Sequence, residues 1–152
     1  QQTYRTILAN DPTNPDVKKA LGLTLIKLGL YDQAIQMLDE ASLYNINDAD
    51  SCFFSAVARL RGKRPALIKR KEIDEIIGKV EAASLIEPKA IYEFFLSVVK
   101  FDHHRRKCYN VSPNYKDHLI NSKEMGVSDT DISDLETIMK FTVESLPAIE
   151  EE

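Results

Sequence analysis

Residues 20–45 read ALGLTLIKLGLYDQAIQMLDEASLYN, and this stretch decides the fold. Ahead of and within it, Val17, Ala20, Leu21, Leu25 and Leu28 recur at helical spacing, behind Asn14 as a candidate N-cap and Pro15 as first helical residue. Gly29 stops that helix, and Ala34, Ile35, Leu38 and Ala41 mark a second one beyond a very short turn. A connection that short returns the chain directly, so the two helices are expected to pack antiparallel.

The same forward-and-return pattern continues downstream. Cys52, Phe53, Ala56, Val57 and Leu60 predict a third helix, preceded by the capping candidates Asn47 and Asp48 and ended at Gly62. Its return helix is expected from Pro65 to Leu85 through Ile73, Ile76, Ile77, Val80 and Ala83, closed by Pro88. Ala90, Ile91, Phe94, Phe95, Val98 and Val99 give another forward helix, and a turn at residues 111–114 leads to a return helix with Tyr115, Leu119 and Met125. After Gly126, the Ser128 and Asp131 pair resembles a capping box opening a last helix through Ile132, Leu135, Ile138, Met139 and Val143. No run alternates apolar and polar residues as a strand does, so the expected class is all-α.

Residues 20–45 resemble one tetratricopeptide repeat. Leu21 and Gly22 match the family's Leu-Gly pair, Gly29 and Tyr31 its turn glycine and tyrosine, and Ala34 and Ala41 the small residues of its second helix. Each has a mechanical reason, since Gly22 and the alanines permit close approach of backbones and Tyr31 fills the gap between neighbouring helices. Lys18, Leu25 and Ile46 depart from the family's usual Trp, Tyr and Pro. Leu21-Gly22 to Ser55-Ala56 is 34 residues, the family period, whereas Ser55-Ala56 to Phe95-Leu96 is 40, so the second repeat is stretched. Residues 4–12 resemble the end of an earlier return helix. The resemblance implies an array of antiparallel helical hairpins wound as a right-handed superhelix, with the last helix capping its final hydrophobic face. Residues 1–146 form the expected domain, and 147–152 an acidic, disordered tail.

Composition sets further bounds. The 152 residues with 43% apolar content suffice for a continuous core, and no hydrophobic run approaches the 18 residues of a membrane span. Two cysteines without CxxC spacing suggest neither a disulfide framework nor a structural zinc site, which favours a reducing, cytoplasmic compartment. The opening QQTYRTILAND has no initiating Met and reads as starting inside a helix, as expected of a segment excised from a longer protein. The net charge of −4 is uneven: residues 129–152 hold eight carboxylates against Lys140 alone.

Several polar groupings carry sharper chemistry than they support. His104 and Cys108 lie four apart, ligand spacing for zinc, and Cys52 or His118 would be needed to complete a set, but no second clustered pair exists. The same residues drawn as thiol and base lack a nucleophile turn or oxyanion loop. The expectation is therefore no metal, no cofactor and no catalysis. Arg59, Arg61, Lys63, Arg64, Lys69, Arg70 and Lys71 form a basic run without interleaved aromatics, which reads as a solvated hairpin turn ahead of a contact with an acidic protein or RNA.

The tetratricopeptide resemblance implies a noncatalytic module that holds a segment of another protein, acidic in one variant, on the concave face of its forward helices. The expected partner-binding residues are Lys19, Leu23, Ile26 and Lys27, then Phe53, Val57 and Arg61, then Lys100, with Asp16, Leu60, Glu93 and Ser97 beside them. The alternative for Leu23, Ile26, Phe53 and Val57 is plain inter-helix core, which periodicity does not separate from a groove. Chaperone-binding members of the family clamp a peptide carboxylate with Lys, Asn and Arg. Lys19 matches the first lysine, but Leu23 and Phe53 or Phe54 replace the asparagines, and Ala90 and Phe94 the later cations. A docking domain of a larger enzyme is the rival class, and an RNA-reading helical repeat a weaker one, since it needs several regular repeats.

Overall fold

The structure, a computed structural model, describes residues 15–105 and 114–139. It contains α1 (Pro15–Lys27), α2 (Tyr31–Tyr44), α3 (Ala49–Ala58), a 3₁₀ turn (Pro65–Leu67), α4 (Arg70–Ile86), α5 (Ala90–Val99), a π-helical turn (Lys100–Arg105), α6 (Tyr115–Glu124) and α7 (Asp129–Met139). No strand occurs among the described residues. The Asn14 cap, the helix remnant at 4–12, the turn at 111–113, the neighbourhood of Cys108 and everything beyond Met139, Val143 and the acidic tail included, lie outside them.

The hairpins α1–α2, α3–α4 and α5–α6 pack side by side. Within the first, Gly22 lets α2 approach so closely that a Cβ there would lie 2.6 Å from Leu38 Cγ. Ala34, Leu38 and Ala41 are completely buried along the same seam. Lys18, where an aromatic residue is usual, buries its stem and reaches Glu40 of α2 at 2.6 Å. That hydrogen bond holds the Glu40 carboxyl below its ordinary range, against the opposing effect of burial.

The second hairpin is fitted to the first by Tyr31, whose hydroxyl lies 2.6 Å from the position a Cβ would take on Gly62. Gly62 has φ +70°, and Arg61 before it is also left-handed at φ 52°. Asp39 of α2 then accepts from Ser55 at 2.6 Å and Arg59 at 3.0 Å on α3, and faces Lys79 of α4 at 3.5 Å. One carboxylate thus joins three helices. Aromatic packing continues the array: Phe53 meets Tyr92 at 4.6 Å and, edge-on, Phe95 at 5.4 Å between ring centroids.

The long return helix expected from Pro65 begins instead at Arg70, and the stretch in the repeat has a physical cause. The α3–α4 connection leaves the helical path, makes its 3₁₀ turn and is fastened to the π-helical turn. Asp102 accepts from the Arg64 guanidinium and from the Ala66 backbone N–H at 2.9 Å, and the His103 Nε2–H donates to the Ile68 carbonyl at 3.0 Å. The carbonyl has no proton to give, so these contacts assign the proton to Nε2. Two expected core positions also move: Leu28 and Met125 fall in turns after their helices and are 53% and 44% exposed.

Asp48 caps α3 through Ser51, and Ser128 accepts from the Asp131 N–H at 3.0 Å as the start of α7 requires. α7 does shield an apolar face. That face belongs to α1, α3 and α5, against which α7 lies.

Two glycine substitutions separate close approach from helix propensity. At Gly78, on the exposed side of α4, an added Cβ meets nothing, so Gly78→Ala should stabilise by about 0.5–1 kcal/mol. At Gly22 the same propensity gain of about 1 kcal/mol is outweighed by overpacking against immobile Leu38, for a net loss of about 1–2 kcal/mol. Urea melts of both variants should move their midpoints in opposite directions. A gain at Gly22 would mean that α1 and α2 are not in contact there.

Candidate functional site

The forward helices α1, α3 and α5 and the crossing helix α7 enclose an open cleft of roughly 330 Å³. Leu23 and Lys27 come from α1, Asp50, Phe53 and Phe54 from α3, and Ile91 from α5. Each set repeats at helical spacing, so each helix turns one face inward. The opposite wall is α7, with Asp131, Asp134, Leu135, Thr137 and Ile138. The floor is apolar and the rim carries carboxylates and one lysine.

Three of the eight sequence-predicted binding residues line this cleft, Leu23, Lys27 and Phe53, but Phe53 is only 2% exposed and belongs chiefly to the core. Ile26 and Val57 are corrected to core, with 0% and 2% exposure, as is neighbouring Leu60. Their side chains point between packed helices, the alternative that periodicity had left open. Lys19 stretches to Asp48 at 3.3 Å and braces the start of α3. Arg61 stands at the α3–α4 turn and pairs with Asp32 of α2 at 3.0 Å, away from the cleft. The side chain of Asp16 lies outside the described residues.

Lys100 is also corrected from groove to interior. At 5% exposure it donates to His118 Nε2 at 2.9 Å, and His118 Nδ1–H donates to Glu93 at 3.0 Å. Asn121 adds a hydrogen bond to Glu93 at 3.1 Å, so this chain ties α5 to α6. Burial lowers the Lys100 pKa although Glu81, Glu93 and Asp117 pull it upward. Ser97 is likewise buried and bonds the Phe94 carbonyl. With His118 engaged on both nitrogens, and Cys52 Sγ 3.5 Å from the Ser42 hydroxyl, neither side chain is poised as a ligand. No group of three metal-ligating side chains occurs among the described residues.

The basic run is largely matched by acids of the same chain. Arg59 pairs with Asp39, Arg61 with Asp32, Arg64 with Asp102 and Arg70 with Asp74. A phosphate would have to compete with each of these carboxylates.

At the cleft's edge Asp50 accepts from Lys89 at 3.0 Å and from the Tyr92 hydroxyl. Burial alone would raise the Asp50 pKa. The hydrogen bonds and the Lys89 charge outweigh it, so the carboxyl is held below its ordinary 3.8. Burial, followed by the hydrogen bond to Asp50 and then the Asp50 charge, pushes the Tyr92 hydroxyl far upward.

Sequence reasoning missed Asp50, Phe54, Ile91 and the α7 wall. Asp50 and Phe54 had a signal, since Asp50 lies three residues before Phe53 and four before Phe54, spacings that share a helical face. The α7 residues had a helical pattern but nothing that named the surface they would meet.

The family model described as tetratricopeptide repeat matches residues 1–51. The match spans the first 51 of 152 residues, the part that also resembles a tetratricopeptide repeat by its residues. A solved structure named MamA MSR-1 C2 superimposes with a TM-score of 0.58 at 19% identity, over 82% of this chain and 64% of that one. At that identity the likeness concerns the fold, and this chain spans less than two thirds of the other's length. No curated protein matches the sequence. Both likenesses agree with an all-α helical-repeat fold, and among the described residues no helix is long and apolar enough to cross a membrane.

Asp50→Asn should lower stability at pH 7 by about 1–2 kcal/mol, since it weakens charge-assisted hydrogen bonds. A carboxyl whose folded pKa is depressed contributes stability above its unfolded pKa and loses it as pH falls through the folded value. The melting-temperature gap between parent and variant should accordingly close between pH 7 and about pH 2. A gap independent of pH would remove the charge from the explanation.

Proposed function

We propose that this tetratricopeptide array is a noncatalytic binding module that holds a segment of another protein in the cleft on its concave face. The observation that carries the reading is the apolar floor of Leu23, Phe53, Phe54 and Ile91, contributed by all three forward helices and flanked by the exposed Lys27. An apolar floor with a few charged groups at its rim is the composition of a peptide or ligand groove. Lys27, exposed on the rim of the cleft, is placed to orient a carboxylate of the bound segment.

Immobilised chain should therefore retain proteins from a lysate of its native cells in a manner that depends on this cleft. Lys27→Glu should weaken capture of the partner by about tenfold or more and make the residual binding less salt-sensitive. Its melting temperature should barely move, since a surface substitution of this kind changes stability by about 0.5 kcal/mol or less. Leu23→Asn should weaken the same interaction, and Lys71→Glu on the basic turn should not. If Lys71→Glu alone releases the partner, the contact surface is the hairpin turn.

A further inference from the structure

α7 lies across the array instead of closing its end. It packs on α1, α3 and α5 together, the three helices that form the concave face. Leu135, Ile138 and Met139 are buried there, Ile132 packs partly against the same core, Ser133 is exposed, and Asp131, Asp134 and Thr137 are exposed along the cleft. An amphipathic helix with its apolar stripe laid into a groove is a recurrent mode of partner recognition, and here the groove and the helix belong to one chain.

Two features make this seat a replaceable one. α7 is amphipathic with an exposed polar side, and the stability of such a helix comes mostly from the packing of its apolar face, so it depends on the groove for its structure. It leaves much of the groove unfilled, because the roughly 330 Å³ cleft between it and Leu23, Phe53, Phe54 and Ile91 stays open.

Resting on the concave-face reading above, we infer that α7 is a tethered occupant of the binding groove, displaced by an acidic amphipathic helix of another protein. The chemistry of that helix follows from what it replaces. It repeats apolar residues at the spacing of Leu135, Ile138 and Met139 and places carboxylates toward Lys27, as α7 places Asp131 and Asp134 on the shared rim. It also carries a larger apolar side chain for the open cleft, because a short tether gives α7 an effective concentration on the order of millimolar and an equal contact would not displace it. If α7 is seated about 99% of the time, it raises the apparent dissociation constant of a rival about 100-fold.

The test uses the full chain and a synthetic, end-blocked peptide with the sequence of residues 128–140. Fluorescence anisotropy should show weak binding to the parent and at least about tenfold tighter binding to the Leu135→Asp, Ile138→Asp double variant, whose own α7 is unseated. A peptide carrying Leu135→Asp should bind neither. Equal affinity for parent and double variant, with the variant helical and folded by circular dichroism, overturns the inference. Should the double variant not fold, hydrogen exchange on the parent decides: α7 amides are expected to exchange at least about tenfold faster than those of α3 and α5. Equal rates overturn the inference, since α7 would then open only with the whole fold. A natural partner released by Leu23→Asn but indifferent to the α7 substitutions keeps the concave-face reading and overturns displacement. One unaffected by Leu23→Asn and Lys27→Glu overturns the concave-face reading itself.

Discussion

The approach of α1 to α2 at Gly22 is the contact on which the other packing rests. A residue with no Cβ lets Leu38 sit against the α1 backbone, and the fully buried Ala34 and Ala41 extend that closeness along the seam. This closeness places Tyr31 where its hydroxyl covers Gly62, and Gly62 in turn sets the course of the chain out of α3. Each hairpin is thus positioned by the one before it, as expected where repeats contact their neighbours and no central core exists.

Polar groups reinforce the same order without replacing it. Asp39 collects Ser55, Arg59 and Lys79, Asp102 collects Arg64 and the Ala66 N–H, and Glu93 collects His118 and Asn121. Each carboxylate lies between elements distant in sequence, so its hydrogen bonds fix relative position rather than local conformation. The basic run, which reads in the sequence as a solvated hairpin turn, takes part in these contacts through Arg59 on Asp39 and Arg64 on Asp102. The proposed function falls to the cleft between the forward helices, an apolar floor rimmed by Lys27, Asp50, Asp131 and Asp134.

That floor faces α7. In the proposed arrangement α7 covers part of that floor when no partner is bound. The arrangement couples occupancy to folding, since the segment that leaves the groove also loses the contacts that hold it helical.

Local order was legible in the residues themselves. The 3.6-residue period, Gly29, Asp48, Gly62, Gly126 and Ser128 report on their own neighbourhoods, and they marked the helices and most of their ends. Gly22 and Tyr31 were read correctly as packing residues because their mechanical roles follow from the repeat they resemble. Tertiary structure alone decided what covers each apolar face. Ile26, Val57 and most of Phe53 turned inward while Leu23 lines the cleft, although all are apolar positions at helical spacing on the forward helices. Lys100 went inside because His118, 18 residues away, supplies an acceptor that no local spacing reveals. The start of α4 was displaced by bonds from Asp102 and His103, and α7 settled on the groove rather than at the end of the array. Periodicity states that a helix has an apolar side; which surface meets that side depends on residues far away in the chain.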